Sequence, residues 1–370
     1  MSATEPGATG AGATASATAA SATTASATAA DVAVVVRVRR RGAGRVWVVS
    51  GGLGLAVLAA FLLTMVVGDH AIPLPDLIAS LTGHGSKGVD FIVHRLRLPR
   101  AVLAVLAGVA FGLSGAIFQR VVRNPLASPD VIGVTSGASV AAVLGITVGG
   151  LSGLSLSAAA LGGSVLSTAA IYALAWRRGI SGYRLALIGV GVAAGLSGVV
   201  SYLMTRADIR VATEALLWLT GSLNGRGHQV GPLGLALVVL VPAALALGRT
   251  LYGLQLGDDT ARGLGLNVER GRIALLLTGV ALVGAATAAV GPVAFVAFVS
   301  GPIALRLTGG GRPDLLPAGL VGALVVLLSD FAAQHALGGT QLPVGVVTGV
   351  VGAPYLLWLL VVSNRTGRGG

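Results

Sequence analysis

A succession of long apolar runs leaves this chain little freedom of fold class. A helix needs about 20 apolar residues to cross the roughly 30 Å hydrocarbon core of a bilayer. Runs near this length lie at 46–68, 98–118, 131–148, 155–176, 184–204, 229–248, 271–289, 292–307, 314–336 and 343–362. They predict an all-α polytopic membrane protein with about ten transmembrane helices, two of them (131–148 and 292–307) short. Of the 370 residues, 54% are hydrophobic and 10% charged, whereas soluble domains carry about 25% charged residues. The absence of cysteine excludes disulfides, thiolate metal sites and a cysteine nucleophile.

Residues 1–30 are mostly Ala, Thr, Ser and Gly, so 1–36 read as a disordered tail ahead of a ten-helix domain at 37–365. No basic stretch precedes an apolar one in that tail, which argues against a secretory signal. The basic cluster from Arg37 to Arg45 just before the first run places the N-terminus in the cytoplasm. With both termini inside, eighteen of the 25 basic residues fall in inner segments. The outer seven are Lys87, Arg95, Arg97, Arg100, Arg206, Arg210 and Arg226. The net charge of +12 therefore reports loop orientation, and nucleic acid is not an expected partner.

Between the second and third runs stands RVVRNPLASPDVIGVTSGAS, residues 120–139. Arg120 and Arg123 follow the positive-inside rule. Asn124-Pro125 ends a helix, because proline pushes its predecessor out of the α region. Ser128-Pro129-Asp130 can start the next one. Gly133, Gly137 and Ala138 then offer a small-residue face for close helix packing. A plain loop followed by a helix start explains the same residues equally well.

The stretch from Leu96 to Ser139 closely resembles the second and third helices of FecCD-type permeases, the membrane subunits of ABC importers for iron-siderophores, haem and vitamin B12. The shared pattern is R-x-P-R at Arg97–Arg100, S-G-x-x-x-Q at Ser114–Gln119, R-N-P-L-A-x-P at Arg123–Pro129 and a Gly-Ala block from Ile132 to Ala138. Three more blocks follow in order: LGDDTARGLGL at 256–266, GPVAFVAFVSGPIALR at 291–306, and LPVGVVTGVVGAP at 342–354. WLTGSLNG, after Glu214, resembles a further segment, and Glu214 is read as interfacial. Two positions depart from the pattern: Ile303 stands where the family often has His, and Gln334 where many members have Arg.

The resemblance implies a permease of the bacterial plasma membrane, paired with a second permease subunit, driven by a separate ATP-binding subunit and fed by an extracytoplasmic binding protein. It implies a short coupling helix within 250–271, with Gly257, Asp258, Ala261, Leu264 and Gly265 meeting the ATPase. On a helix, residues four apart share a face, so Gly257, Ala261 and Gly265 are expected to form a smooth strip. Arg97, Arg100 and Gln334 take the positions of the docking site for the binding protein. Arg123, Asn124, Pro125, Gly133, Gly137, Pro302, Arg306, Asp330, Pro343 and Gly345 carry the packing motifs, and Asp330 is read as structural and hydrogen-bonded. The Ile303 variant resembles permeases for catecholate-type ferric siderophores, which makes these the expected cargo, with haem and vitamin B12 as alternatives.

The residues themselves exclude an engine in this chain. A P-loop needs G-x-x-x-x-G-K-[ST], and the one lysine, Lys87, precedes Gly88 in an outer loop. ATP and Mg therefore belong to a partner, and no cofactor is expected here. No His, Asp and Glu set has zinc spacing, and no nucleophile, base and metal constellation suggests catalysis. The competing class, an ion-coupled secondary transporter, calls for midplane charges and broken-helix repeats, whereas Asp330 stands isolated.

Overall fold

The computed structural model describes residues 42–68, 70–130, 133–176, 182–309, 315–336 and 341–366. The chain divides into two compact units, 1–48 and 49–370. Of the first, the described part is the opening of α1 (Gly42–Val66). The tail expected at 1–36 lies outside the described residues.

The second unit is helical, with no strand among its described residues. After α1 come α2 (Leu74–Leu81), α3 (Lys87–Phe91), a π-helical turn (Ile92–Arg97) and α4 (Leu98–Val122). Then follow α5 (Val134–Thr147), α6 (Gly153–Ala175), α7 (Gly182–Arg206), α8 (Ile209–Leu219) and α9 (Val230–Ala246). The rest are α10 (Gly248–Gln255), α11 (Asp258–Gly263), α12 (Val268–Val290), α13 (Val296–Thr308), α14 (Leu315–His335) and α15 (Val344–Thr366). Each expected apolar run carries a helix. Seven helical stretches are long and apolar enough to cross a membrane, while α5, α13 and the apolar part of α15 are shorter.

The short helices show how the crossings are completed. The 13 residues of α13 rise about 20 Å at 1.5 Å per residue, less than a hydrocarbon core. Irregular backbone supplies the remainder, tolerated at that depth where protein surrounds it. Between α12 and α13 the chain turns through Gly291 (φ 79) and Phe295 (φ 65), with Val290, Val293 and Val296 buried around the turn. Gly291 takes a backbone conformation that costs other residues energy, and a Cβ there would also meet the Trp218 carbonyl.

At the centre lies α4, buried along most of its length by α12, α13 and α14. Lipid tails are as apolar as leucine, so helices in a membrane associate through close packing and hydrogen bonds rather than hydrophobic exclusion. Small residues supply that approach. Gly108 and Gly112 lie against the α14 backbone at Gly322 and Ala318, and Gly115 lies against the Ala297 carbonyl of α13. Ser114 donates to the Gly279 carbonyl of α12 at 2.7 Å. The small face expected on α5 is also used, since Gly137 abuts Gly163 and Ser167 of α6, and Ser167 donates to the Gly133 carbonyl at 3.0 Å.

A further tie explains two motif residues at once. Pro302 sits inside α13 and has no N–H to give the Phe298 carbonyl four residues earlier. The Gln119 side-chain amide donates to that carbonyl at 2.8 Å instead. Gly301 leaves room for the Gln119 side chain, whose Oε1 is the nearest atom to the place a Cβ would occupy.

Candidate functional site

At one end of the membrane helices, the R-N-P motif closes α4. Arg123 adopts a left-handed conformation (φ 57, ψ 36), which costs about 1–2 kcal/mol for a residue with a Cβ. Asn124 N–H returns to the Gln119 carbonyl at 2.9 Å, and Asn124 Oδ1 accepts from Leu126 N–H at 2.9 Å, a turn in which Pro125 needs no donor. The geometry aims the Arg123 guanidinium at the coupling segment. Its Nη2 donates to the Leu254 carbonyl of α10 at 2.6 Å and to Asp258 Oδ1 at 3.0 Å. Arg272, in the second turn of α12, donates to both oxygens of the same carboxylate at 3.1 and 3.0 Å. Burial opposes ionisation of Asp258, yet the hydrogen bond and charge of Arg272, with the charges of Arg123 and Arg262, outweigh it and hold the carboxyl below its usual value. The start of α11 is thus clamped to the end of α4 and the beginning of α12.

The surface of this segment differs from the expected strip. Asp258–Gly263 is one and a half turns long, and Gly257 (φ 104) and Gly265 (φ 80) lie outside it with left-handed backbone. Ala261 faces inward and is fully buried. The three small residues therefore share no face. The side chains that α11 and its C-terminal turn expose are Asp259, Thr260, Arg262 and Leu264, the last 64% exposed. The Arg262–Asp259 pair, at 2.8 Å in open solvent, contributes little to stability.

At the opposite end, the three residues expected to dock a partner are turned to internal ones. The π-helical turn places Arg97 so that its guanidinium donates to the carbonyls of Met65, Val66 and His70, around the end of α1. Arg100 forms a bidentate pair with Asp330 of α14, Nε to Oδ2 at 2.9 Å and Nη2 to Oδ1 at 2.9 Å. Gln334 donates to Asp330 Oδ2 at 2.8 Å. The side chains of the ion pair are only 13% and 4% exposed. Asp330 thus has the hydrogen-bonded surroundings the sequence suggested. The exposed basic residues at this end, among those described, include Lys87, Arg95, Arg206 and Arg210.

Three motifs that are remote in sequence cross beside this ion pair. Ser222 N–H donates to the Val290 carbonyl at 2.9 Å, and Gly345 N–H to the Gly221 carbonyl at 3.2 Å. Gly221 packs on the Pro292 carbonyl and Gly345 on the Thr220 carbonyl, so Trp218–Ser222, Gly291-Pro292 and Leu342–Gly345 make backbone contact. Pro343 stands immediately before α15, where a missing N–H costs nothing. Beside the crossing opens a cavity of about 410 Å³ bordered by the end of α5 and the start of α6, by α8, and by residues 222–229 and 341–343. Gln341, which accepts from Arg100 Nη1 at 3.1 Å, lies on its wall. Arg306 stands at the other end of α13, its guanidinium 4.3 Å above the Trp358 ring.

Sequence reasoning singled out Arg100 and Asp330, and Arg123 and Asp258, without pairing them. It quoted Gln119 within a motif but gave it no role, although a glutamine in an apolar helix and a proline in another are the signal of such a tie. Arg226 and the cavity it borders were missed, since nothing local marks residues 222–229 as a wall.

Residues 55–362 match the FecCD transport family. The ferric enterobactin transport system permease protein FepG of Escherichia coli K12 is 40% identical over 299 residues, covering 80% of this chain and 91% of that protein. The achromobactin transport system permease protein CbrC of Dickeya dadantii is 39% identical, covering 84% and 90%. The vitamin B12 import system permease protein BtuC of Yersinia enterocolitica is 35% identical, covering 84% and 91%. A solved structure described as an inward-facing conformation of a metal-chelate type ABC transporter superposes with a TM-score of 0.74 at 25% identity, covering 85% of this chain and 98% of that one. The ordered motifs, the ten apolar helices and these matches over most of the chain establish that it belongs to the FecCD transport family.

Proposed function

We propose that this chain is the permease subunit of an ABC importer for ferric siderophores, most closely of the catecholate type. It sits in the bacterial plasma membrane with both termini inside. It pairs with a second permease subunit, takes cargo from an extracytoplasmic binding protein and is driven by a separate subunit that binds ATP and Mg. The observation that carries this reading is α11: a short exposed element, clamped by Arg123 and Arg272 rather than slack, presenting the apolar Leu264 to a partner. Force transfer requires a packed, discrete element of this kind. FepG and CbrC, by name permeases for ferric enterobactin and achromobactin, favour siderophores over vitamin B12 as cargo. The ion-coupled alternative draws no support from Asp330, whose carboxylate is occupied by Arg100 and Gln334.

The test is Leu264→Asp in the complete importer. Loss of an apolar anchor at an interface centre typically weakens binding about 30-fold or more. The variant is expected to reach the membrane at the normal level, lose the ATPase on purification and import ferric tricatecholate at least about tenfold more slowly. Normal uptake with the ATPase retained would remove α11 from the coupling face. Import of vitamin B12 in preference to the ferric chelate would replace the cargo.

A further inference from the structure

The cavity beside the motif crossing has a chemistry that transport by a pair of permeases does not by itself require. Its apolar lining includes Trp218, Leu156 and Leu342. Its polar lining includes Arg226, Asn224, Gln341, His228 and Gln229, with one carboxylate, Glu214. Arg226 is held by one bond, Nη1 donating at 3.2 Å to the Ala289 carbonyl in the last turn of α12. Among the described residues no carboxylate pairs with it. Partial burial lowers its pKa to about 10, which leaves it charged at neutral pH. The other arginines nearby, Arg97 and Arg100, spend their guanidiniums on internal carbonyls and on Asp330. Arg226 is thus an anchored cation on a concave surface next to an aromatic ring, with most of its donors uncommitted.

A wall of this kind suits a flat ring that bears negatively charged oxygens. The ring lies against the apolar part of the lining, and the oxygens take the guanidinium N–H groups, which match paired oxygen acceptors in geometry. The volume lies within the range of small-ligand sites, about 300–1,000 Å³. It accommodates one arm of a chelate and not the whole. We infer that this cavity is an anion-recognising receiving site at the extracytoplasmic face, where Arg226 takes the phenolate or carboxylate oxygens of one arm of the ferric chelate as it leaves the binding protein. The inference rests on the importer reading above for its cargo, and on the cavity alone for its chemistry. Glu214, exposed at the rim, opposes an anion and so sets a sign for the test.

The test separates the site from the cargo. In the complete importer, 2,3-dihydroxybenzoate is titrated as a catechol-bearing anion, and the part of the tryptophan quenching that Trp218→Phe abolishes is taken as the signal of this cavity. Saturable quenching is expected, weakened at least about tenfold in Arg226→Gln, partly restored in Arg226→Lys and strengthened in Glu214→Gln, the size expected for one charge-assisted hydrogen-bond partner. Glu214→Gln lies on an exposed surface, so it reads the electrostatics even if Arg226→Gln folds poorly. Quenching that is linear and equal in all variants overturns the proposal. A second arm measures ATP-driven uptake of ferric tricatecholate in proteoliposomes, where Arg226→Gln is expected to raise KM about tenfold with kcat nearly unchanged. If wild type binds the probe but does not import that chelate, the site stands and the siderophore reading fails. A third arm measures binding-protein affinity without cargo. A loss there in Arg226→Gln, with probe binding intact, would show that Arg226 receives an acidic side chain of the binding protein and would overturn the assignment to the chelate.

Discussion

Arg100 and Asp330 illustrate how a single contact decides what a residue is for. A charge held away from water is costly unless paired, and removing one partner of a buried pair typically costs about 3–5 kcal/mol. Replacing both by apolar residues of similar size costs far less and is often neutral. Arg100→Met is therefore expected to destabilise the permease by about 3–5 kcal/mol. Arg100→Met with Asp330→Leu should recover most of that loss. Thermal unfolding in detergent of both single variants and the double variant checks it, and full additivity of the single losses would refute the pairing. A reversal to Glu at Arg100 should likewise fail in folding rather than in docking, because the guanidinium faces Asp330 and not the solvent. The same logic applies more weakly at Asp258, which has two arginine partners but is about one-third exposed.

Among the elements, α11 is the one whose placement depends most on charge. Asp258 has a folded-state pKa below the ordinary carboxyl value of 3.8. Its contribution is therefore complete above that value and is lost as pH falls through the lower folded one. Wild type is expected to exceed Asp258→Asn in thermal stability by a steady margin of about 1 kcal/mol or less, discounted for exposure, from pH 7 to about 5. The margin should close below 3.8. A margin that instead shrinks between pH 7 and 5 would mean that Asp258 is not held ionised by its arginines. The ten apolar helices were legible because long apolar runs encode them directly. The turn between α12 and α13 was not, because what holds it open to the left-handed backbone of Gly291 and Phe295 is contributed by Ser222, Gly221 and Gly345, far away in sequence. The short helices α2, α8 and α10 escaped for a related reason: their apolar periodicity is too brief to rise above a loop. Spacing alone also misled at 257–265, where two glycines read as helix face proved to be its left-handed boundaries.

For the whole molecule, a sequence without a P-loop motif makes a prediction about ATP. Lys87 begins α3 behind its cap Ser86, with no glycine-rich phosphate loop around it. The purified permease alone is expected to hydrolyse no ATP above a protein-free control, measured as phosphate release in detergent and in liposomes. Hydrolysis that persists after partner subunits are removed would contradict the family assignment of roles. The candidate sites lie at the two ends of the membrane helices, and each is assembled from segments that meet only in the folded chain. Motif order announced the family, but it could not announce that R-N-P reaches the segment at 254–258 or that R-x-P-R reaches Asp330.

That last separation, 230 residues between Arg100 and Asp330, also sets a clock. Ribosomes add about 5–20 residues per second, so α14 emerges roughly 10–50 s after α4. For all that interval a membrane-inserted segment carries an arginine whose permanent counter-ion has not yet been made. Arg100 lies in the first turn of its helix, where a long side chain can reach the headgroup region and wait there. The most buried helix of the finished protein is thus among the first to be synthesised and, by its charge, among the last to be locked.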